Sequence, residues 1–214
     1  MWPIIEQLAK GLLLSVGLFF LTLAFAFPLG LGIALGRMSK NGIVRSLMKG
    51  YISIMRGTPL MLQLLVVYFG PYYLFGCSLK EYPPFVAATI AFSLNYAAYF
   101  AEIYRGGIES ISVGQYEAAQ VLGYSSSQTF CKIILPQVIK RILPAVTNEV
   151  ITLVKDTSLA QVLSVIEMFT TAKQLANSMS SMIPLLVAGV FYYVFNFVVA
   201  MFMEYCEKKL SYYR

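Results

Sequence analysis

The chain has 214 residues, 58% of them apolar and only 12% charged, with sixteen Lys and Arg, ten Asp and Glu and no His. Soluble chains carry roughly 25% charge, so this one lacks the charge to cover a water-facing surface. Several nearly uncharged runs of about 20 residues have the length that crosses a hydrocarbon core of about 30 Å. The sequence therefore reads as an all-α membrane protein with little chain left for a soluble domain. Three cysteines, Cys77, Cys131 and Cys206, show no C-x-x-C spacing, and without histidine they suggest neither a metal site nor a disulfide framework. The formal charge of +6 suits cytoplasmic loops rather than nucleic acid, because the charges cluster between the apolar runs.

In chain order, the N-terminal ten residues carry a Pro and a Glu, and the apolar run that follows is too long for a signal-peptide core. We read it as an uncleaved first span. Five spans are expected, at about 12–35, 59–77, 84–104, 138–154 and 183–205. The fourth contains Pro144, Asn148 and Glu149, and it is followed by a mixed apolar segment, 158–170, that reads as a short re-entrant or surface helix. Short loops rich in Lys and Arg stay on the cytoplasmic side. Arg37, Lys40, Arg45, Lys49 and Arg56 fall between spans one and two. Arg105, Lys132, Lys140 and Arg141 fall around the connection between spans three and four, and Lys208, Lys209 and Arg214 in the C-terminal tail. The opposite face receives Lys10, Lys80, Lys155 and Lys173. This places the N-terminus outside and the C-terminus in the cytoplasm, as five spans require.

The connection at 106–137 is about thirty residues long, far more than the two to eight usual between packed helices. Helix-forming residues run over 115–122, Gly123 reads as a stop, and a second short helix is expected over 126–135 with an N-cap among Ser125 to Ser127. Glu117-Ala118-Ala119, Gly123 four residues on, and Ile134-Leu135-Pro136 resemble the EAA signature of ATP-binding-cassette (ABC) importer permeases of type I. Arg56-Gly57-Thr58-Pro59, Ala98-Tyr99-Phe100-Ala101-Glu102-Ile103, Arg105-Gly106-Gly107-Ile108, Gly114-Gln115, Leu135-Pro136-Gln137 and Lys155-Asp156-Thr157-Ser158-Leu159 resemble the subfamily that takes up polar amino acids. The resemblance covers roughly 43–163. Spans one and five read as apolar filler beside it.

The resemblance implies one transmembrane permease domain over 1–214, in a bacterial-type cytoplasmic (inner) membrane. Its coupling loop, with Gln115, Glu117, Ala118, Ala119 and Gly123, would dock on a separate ATPase. Ala118 and Ala119 would allow close approach, Gly123 would turn the chain and Pro136 would close the loop. No G-x-x-x-x-G-K-[ST] occurs, so this chain has no cradle for ATP phosphates and needs no cofactor of its own; it is not expected to be an enzyme. Two ATPase subunits, which bind the ATP, and an extracytoplasmic amino-acid-binding protein are the implied partners. Five spans enclose a polar pathway poorly, so a second copy is expected, a homodimer by the commonest symmetry.

Ionisable residues inside a membrane are costly, which makes each a functional candidate. Asn95, Tyr99 and Glu102 share one face of span three, and Glu149, Thr152 and Asp156 share one face of span four. With Gln63 from span two and Asn148 beside Glu149, these are the expected substrate-binding residues. The alternative is that they only hydrogen-bond one another between packed helices. Lys155 points the other way round its helix from Asp156. Three acids against one lysine favour a cationic substrate, arginine first, with lysine or histidine, and glutamine or another polar amino acid as the alternative. A membrane enzyme is disfavoured because no nucleophile and base are arranged together. An ATP-independent channel or secondary transporter is the remaining class, and the long loop argues against it.

Overall fold

A computed structural model describes residues 2–76, 78 and 82–210, and every regular element among them is helical. Cys77, Lys80 and Arg214, which entered the span and charge readings, lie outside the described residues. An all-helical solution is what a hydrocarbon solvent selects, since each helix satisfies its own backbone polar groups.

Helix α1 runs over Trp2–Arg37 with Pro28 inside it. Helix α2, Gly42–Gly57, begins at Asn41, whose side chain accepts from the amides of Ile43 and Val44. It stops at Thr58, which is extended, because the residue before a proline is pushed out of the helical region. Helix α3, Leu60–Phe75, then leaves at a bend of 112°. Next come α4, Pro84–Glu109, and α5, Val113–Val121. A single turn, α6 (Ser126–Gln128), passes through a π-helical stretch, Thr129–Ile134, into α7, Leu135–Asp156. A 3-10 segment, Thr157–Leu163, leads to α8, Met168–Ser178, and α9, Ile183–Leu210, ends the described chain.

Three of the five expected spans fall in helices long and apolar enough to cross a membrane, namely α1, α4 and α9. The segment expected at 59–77 is α3, which reaches that standard only together with α2 as a bent pair. The segment at 138–154 lies within α7, whose polar and charged residues keep it below that apolar standard.

Several local readings need correction. Residues 126–135 do not form a separate short helix, because α6, the π-helical stretch and α7 are continuous. Pro136 therefore does not close a loop; it sits in the first turn of α7. A proline there would drive its ring into the carbonyl four residues back in a regular helix, and the wider π turn just before it opens that spacing. At the other end, α4 carries the helix through Arg105 to Glu109, so the connection proper narrows to 110–125, with α5 inside it. The segment 158–170 is likewise not one helix but the 3-10 stretch, a bend at Ser164 with φ 58° and the first turn of α8.

Nor is α1 filler. Apolar helices gain little from the hydrophobic effect inside lipid, so close backbone approach through small residues drives their packing. Ala26, Gly30 and Ala34 of α1 meet the small face of α4 at Ala97, Ala98 and Ala101. A Cβ added at Gly30 would stand 2.9 Å from Phe100 Cβ and 3.0 Å from the Ala97 carbonyl oxygen. Around this seam Phe19, Phe92, Tyr96 and Phe100 fill the core. Helix α9 packs against α7 and α8 and leaves Leu186, Val190, Tyr193, Val194, Phe197 and Val198 exposed.

A buried carboxylate ties three helices together at the far end of α1. Glu167, with no exposed surface, caps α8 by accepting from the amides of Phe169 (2.6 Å) and Thr170 (2.7 Å). It also accepts from Thr170 Oγ1 (3.0 Å), from Ser15 of α1 (3.3 Å) and from Tyr192 of α9 (3.0 Å). Five donors converge on two oxygens, the way a buried charge is stabilised without a cation.

Candidate functional site

The bend between α2 and α3 exposes carbonyls that a continuous helix would have used. Asn95 on α4 fills that gap: its amide donates to the Met55 carbonyl (3.1 Å) and to Gln63 Oε1 (2.9 Å). Gln63 in turn donates to the Met55 carbonyl (2.9 Å), the Thr58 carbonyl (3.1 Å) and Thr58 Oγ1 (2.8 Å). This network fixes the break against α4 and presents Thr58 and Leu60 to a cavity of about 260 Å3.

The cavity is lined by Thr58, Leu60, Asn95, Tyr96, Tyr99, Glu149, Thr152 and Asp156. The two polar stripes expected on α4 and α7 thus meet across one space. Five of the eight expected substrate residues, Asn95, Tyr99, Glu149, Thr152 and Asp156, line it. Gln63 does not; it acts behind the wall, through Asn95. Asn148 is exposed and contributes its carbonyl to Thr152 Oγ1 (2.8 Å) instead. Glu102 is not brought to the cavity either. Its carboxylate takes two bonds from Arg105 (2.7 and 3.1 Å) and lies 3.9 Å from Arg56, while Arg105 also holds Glu109 at 2.5 Å. The physical reason is its partners: the two arginines claim the Glu102 carboxylate, so a shared face does not mean a shared site.

Sequence reasoning missed Tyr96 and Arg56 as parts of this site. Tyr96 donates to Asp156 Oδ2 at 2.8 Å and is almost fully buried between α4 and α7. The Arg56 guanidinium lies over the Tyr99 ring, 5.3 Å from its centroid, a cation–π distance. A tyrosine one turn from Tyr99 on an apolar helix was the available signal for the first. Among the described residues the lining carries two carboxylates against the one guanidinium of Arg56 beside it, so the cavity's chemistry suits a ligand with an ammonium or guanidinium group. Its volume lies below the roughly 300–1,000 Å3 of drug-sized sites, which suits a small polar molecule.

At the opposite end of α7, α5 closes with the geometry its sequence predicts. Gly123 has φ 78°, and the amides of Gly123 and Tyr124 bond back to the carbonyls of Gln120 and Ala119 (both 3.0 Å), a Schellman close that favours glycine. Ser125 caps the next turn in a reciprocal box with Gln128. Ala119 is buried, so only Ala118 of the pair is available for close approach by another molecule. Glu117 is exposed, together with Val113, Val121 and Leu122. Gln115 accepts a long bond, 3.4 Å, from Gln137, which joins α5 to the start of α7.

The family model for the binding-protein-dependent transport system inner membrane component matches residues 26–212. The nopaline transport system permease protein of Agrobacterium fabrum is 39% identical over 202 residues, covering 90% of this chain and 83% of that one. An L-cystine transport system permease protein of Bacillus subtilis is 36% identical over 214 residues, covering 99% and 88%. Among solved structures, the crystal structure of an amino acid ABC transporter with histidines superposes with a TM-score of 0.89 at 31% identity, covering 98% of this chain and 96% of that one. Members of this family are the membrane-embedded, non-enzymatic subunits, and partner subunits hydrolyse the ATP. The chain belongs to the inner membrane components of binding-protein-dependent transport systems, among the type I ABC importer permeases for polar amino acids.

Proposed function

We propose that the substrate is a basic amino acid, arginine first and lysine or histidine after it, taken up by alternating access in a bacterial cytoplasmic membrane. The observation that carries this reading is the pairing of two carboxylates, Glu149 and Asp156, in the lining of one cavity. Glu149 and Asp156 bind the cationic groups. Asn95, Thr152 and Tyr99 supply hydrogen bonds, and Tyr96 holds Asp156 in place. The first turn of α3 has no side-chain cap, so its positive end beside Thr58 faces the substrate carboxylate, an arrangement that broken helices favour at the centre of transporters. The histidine-bound transporter of the same fold supports a basic ligand. The cystine relative supports the alternative, glutamine or another polar amino acid.

In this reading five spans, 12–35, 59–77, 84–104, 138–154 and 183–205, place the N-terminus outside and the C-terminus in the cytoplasm. Two copies pair as a homodimer, each docking one of two ATPase subunits through α5 with Gln115, Glu117, Ala118 and Gly123. An external binding protein delivers the amino acid. The exposed apolar residues of α5 and its rigid close at Gly123 support this role for the loop.

The test is uptake of labelled arginine into liposomes holding the chain with its ATPase, with and without ATP and with unlabelled competitors. Lysine or histidine should compete and glutamine should not. Glu149→Gln should weaken arginine uptake much more than glutamine uptake; equal losses for the two substrates would remove the basis for a cationic ligand.

A further inference from the structure

Lys155 and Asp156 are consecutive, yet they serve different spaces. Asp156 lines the central cavity, while Lys155 lines a larger cleft of about 650 Å3 at the end of the bundle away from α5. One wall of that cleft is the face of α8 that carries Phe169, Lys173 and Asn177, spaced four residues apart. The other is the face of α9 that carries Leu185, Ala188, Gly189 and Tyr192. Neither lysine forms an ion pair among the described residues, and no acidic side chain lines the cleft. Glu167 lies behind Tyr192, with its own donors.

Two cations in a cleft that no acidic side chain lines, and whose α9 wall is largely apolar, match an amphiphile, with an anion at its head and hydrocarbon below. A water-soluble anion would use the lysines and leave the partly exposed Phe169 and Leu185 uncovered. The cleft also continues onto the exposed apolar surface of α9 at Leu186, Val190 and Val194, where acyl chains would lie. We propose that this cleft binds an anionic phospholipid, its phosphodiester held between Lys155 and Lys173 with Asn177 beside them and its chains along α9.

The experiment uses the full chain in vesicles containing a photoactivatable phosphatidylglycerol, or the matching phosphatidylcholine, with the reactive group near the top of one acyl chain. Crosslinks are mapped by peptide mass spectrometry. Each basic residue near an anionic lipid is worth about fivefold in association, so the preference for phosphatidylglycerol at 185–192 should fall roughly twentyfold in Lys155→Gln/Lys173→Gln. Both lysines are exposed, so the variant keeps its fold, and Lys155→Arg/Lys173→Arg should retain the preference. Equal labelling by the two lipids, or a preference unchanged in the Gln variant, overturns the proposal. Loss of labelling on addition of millimolar inorganic phosphate would make the site one for a free anion. A change in oligomeric state in the Gln variant would make it an interface between copies. Either result also overturns the assignment to lipid.

Discussion

Glu167→Gln tests whether the carboxylate under Tyr192 holds α1, α8 and α9 together. The amide keeps one acceptor oxygen. Placed toward Ser15, Phe169 and Tyr192, that oxygen leaves the NH2 facing the Thr170 amide, donor against donor. An unpaired buried amide costs about 1–3 kcal/mol, and bonds to a charged acceptor lose about half their strength when the charge goes. Together these give a loss of roughly 3–4 kcal/mol, or about 10 °C in Tm for a chain of this length. Thermal unfolding in detergent, followed by the fraction remaining monodisperse after heating, measures it. The control is Glu6→Gln, which removes only an exposed pair with Lys10 and should leave the transition in place. A Glu167→Gln transition within about 2 °C of the parent would refute the reasoning, since it would mean that the five bonds contribute no more than water does.

Gly30→Ala pushes a methyl group against Phe100 Cβ and the Ala97 carbonyl, and should cost about 1–3 kcal/mol. Gly32→Ala, two residues on, meets nothing within 4 Å and should be neutral or slightly stabilising; equal shifts in detergent Tm for the two would dismiss the close α1–α4 seam. Gly123→Asp forces a left-handed φ on a side-chain-bearing residue and should leave the chain inserted while abolishing ATP-driven uptake. Normal transport by that variant would remove α5 as the ATPase contact.

Much of this architecture was legible because apolar length is a strong signal: every expected span lies on a helix, apart from the two ends of 59–77. Gly123 and Ser125 were legible for a different reason, since cap chemistry is local and needs no tertiary contact. The continuity from Ser126 to Asp156 was hidden because Pro136 reads as a stop, and only the π turn before it shows how the helix survives. On the two polar stripes, period alone grouped Asn95, Tyr99, Glu149, Thr152 and Asp156, which line one cavity. It could not separate Glu102 from them, since Arg105 and Arg56 claim that carboxylate through contacts that spacing does not encode. Glu167 left no trace, because a lone Glu in a mixed segment looks like surface until Ser15 and Tyr192 arrive from more than 150 and 25 residues away.

The unbroken run from Ser126 to Asp156 has a mechanical consequence. Thirty residues at 1.5 Å each make a rod of about 45 Å, with no loop along it to absorb a rotation. A tilt of about 10° imposed at Ser126 would sweep Asp156 sideways by roughly 8 Å if the rod pivots there, a displacement of the order of the cavity's own width. Pro144 removes one internal bond of α7 and the π turn loosens the bonding nearer Ser126, so such a lever would flex first at these two points. Stiffening them, rather than altering either end, is how force delivered beside α5 could be made to arrive undiminished at Glu149 and Asp156.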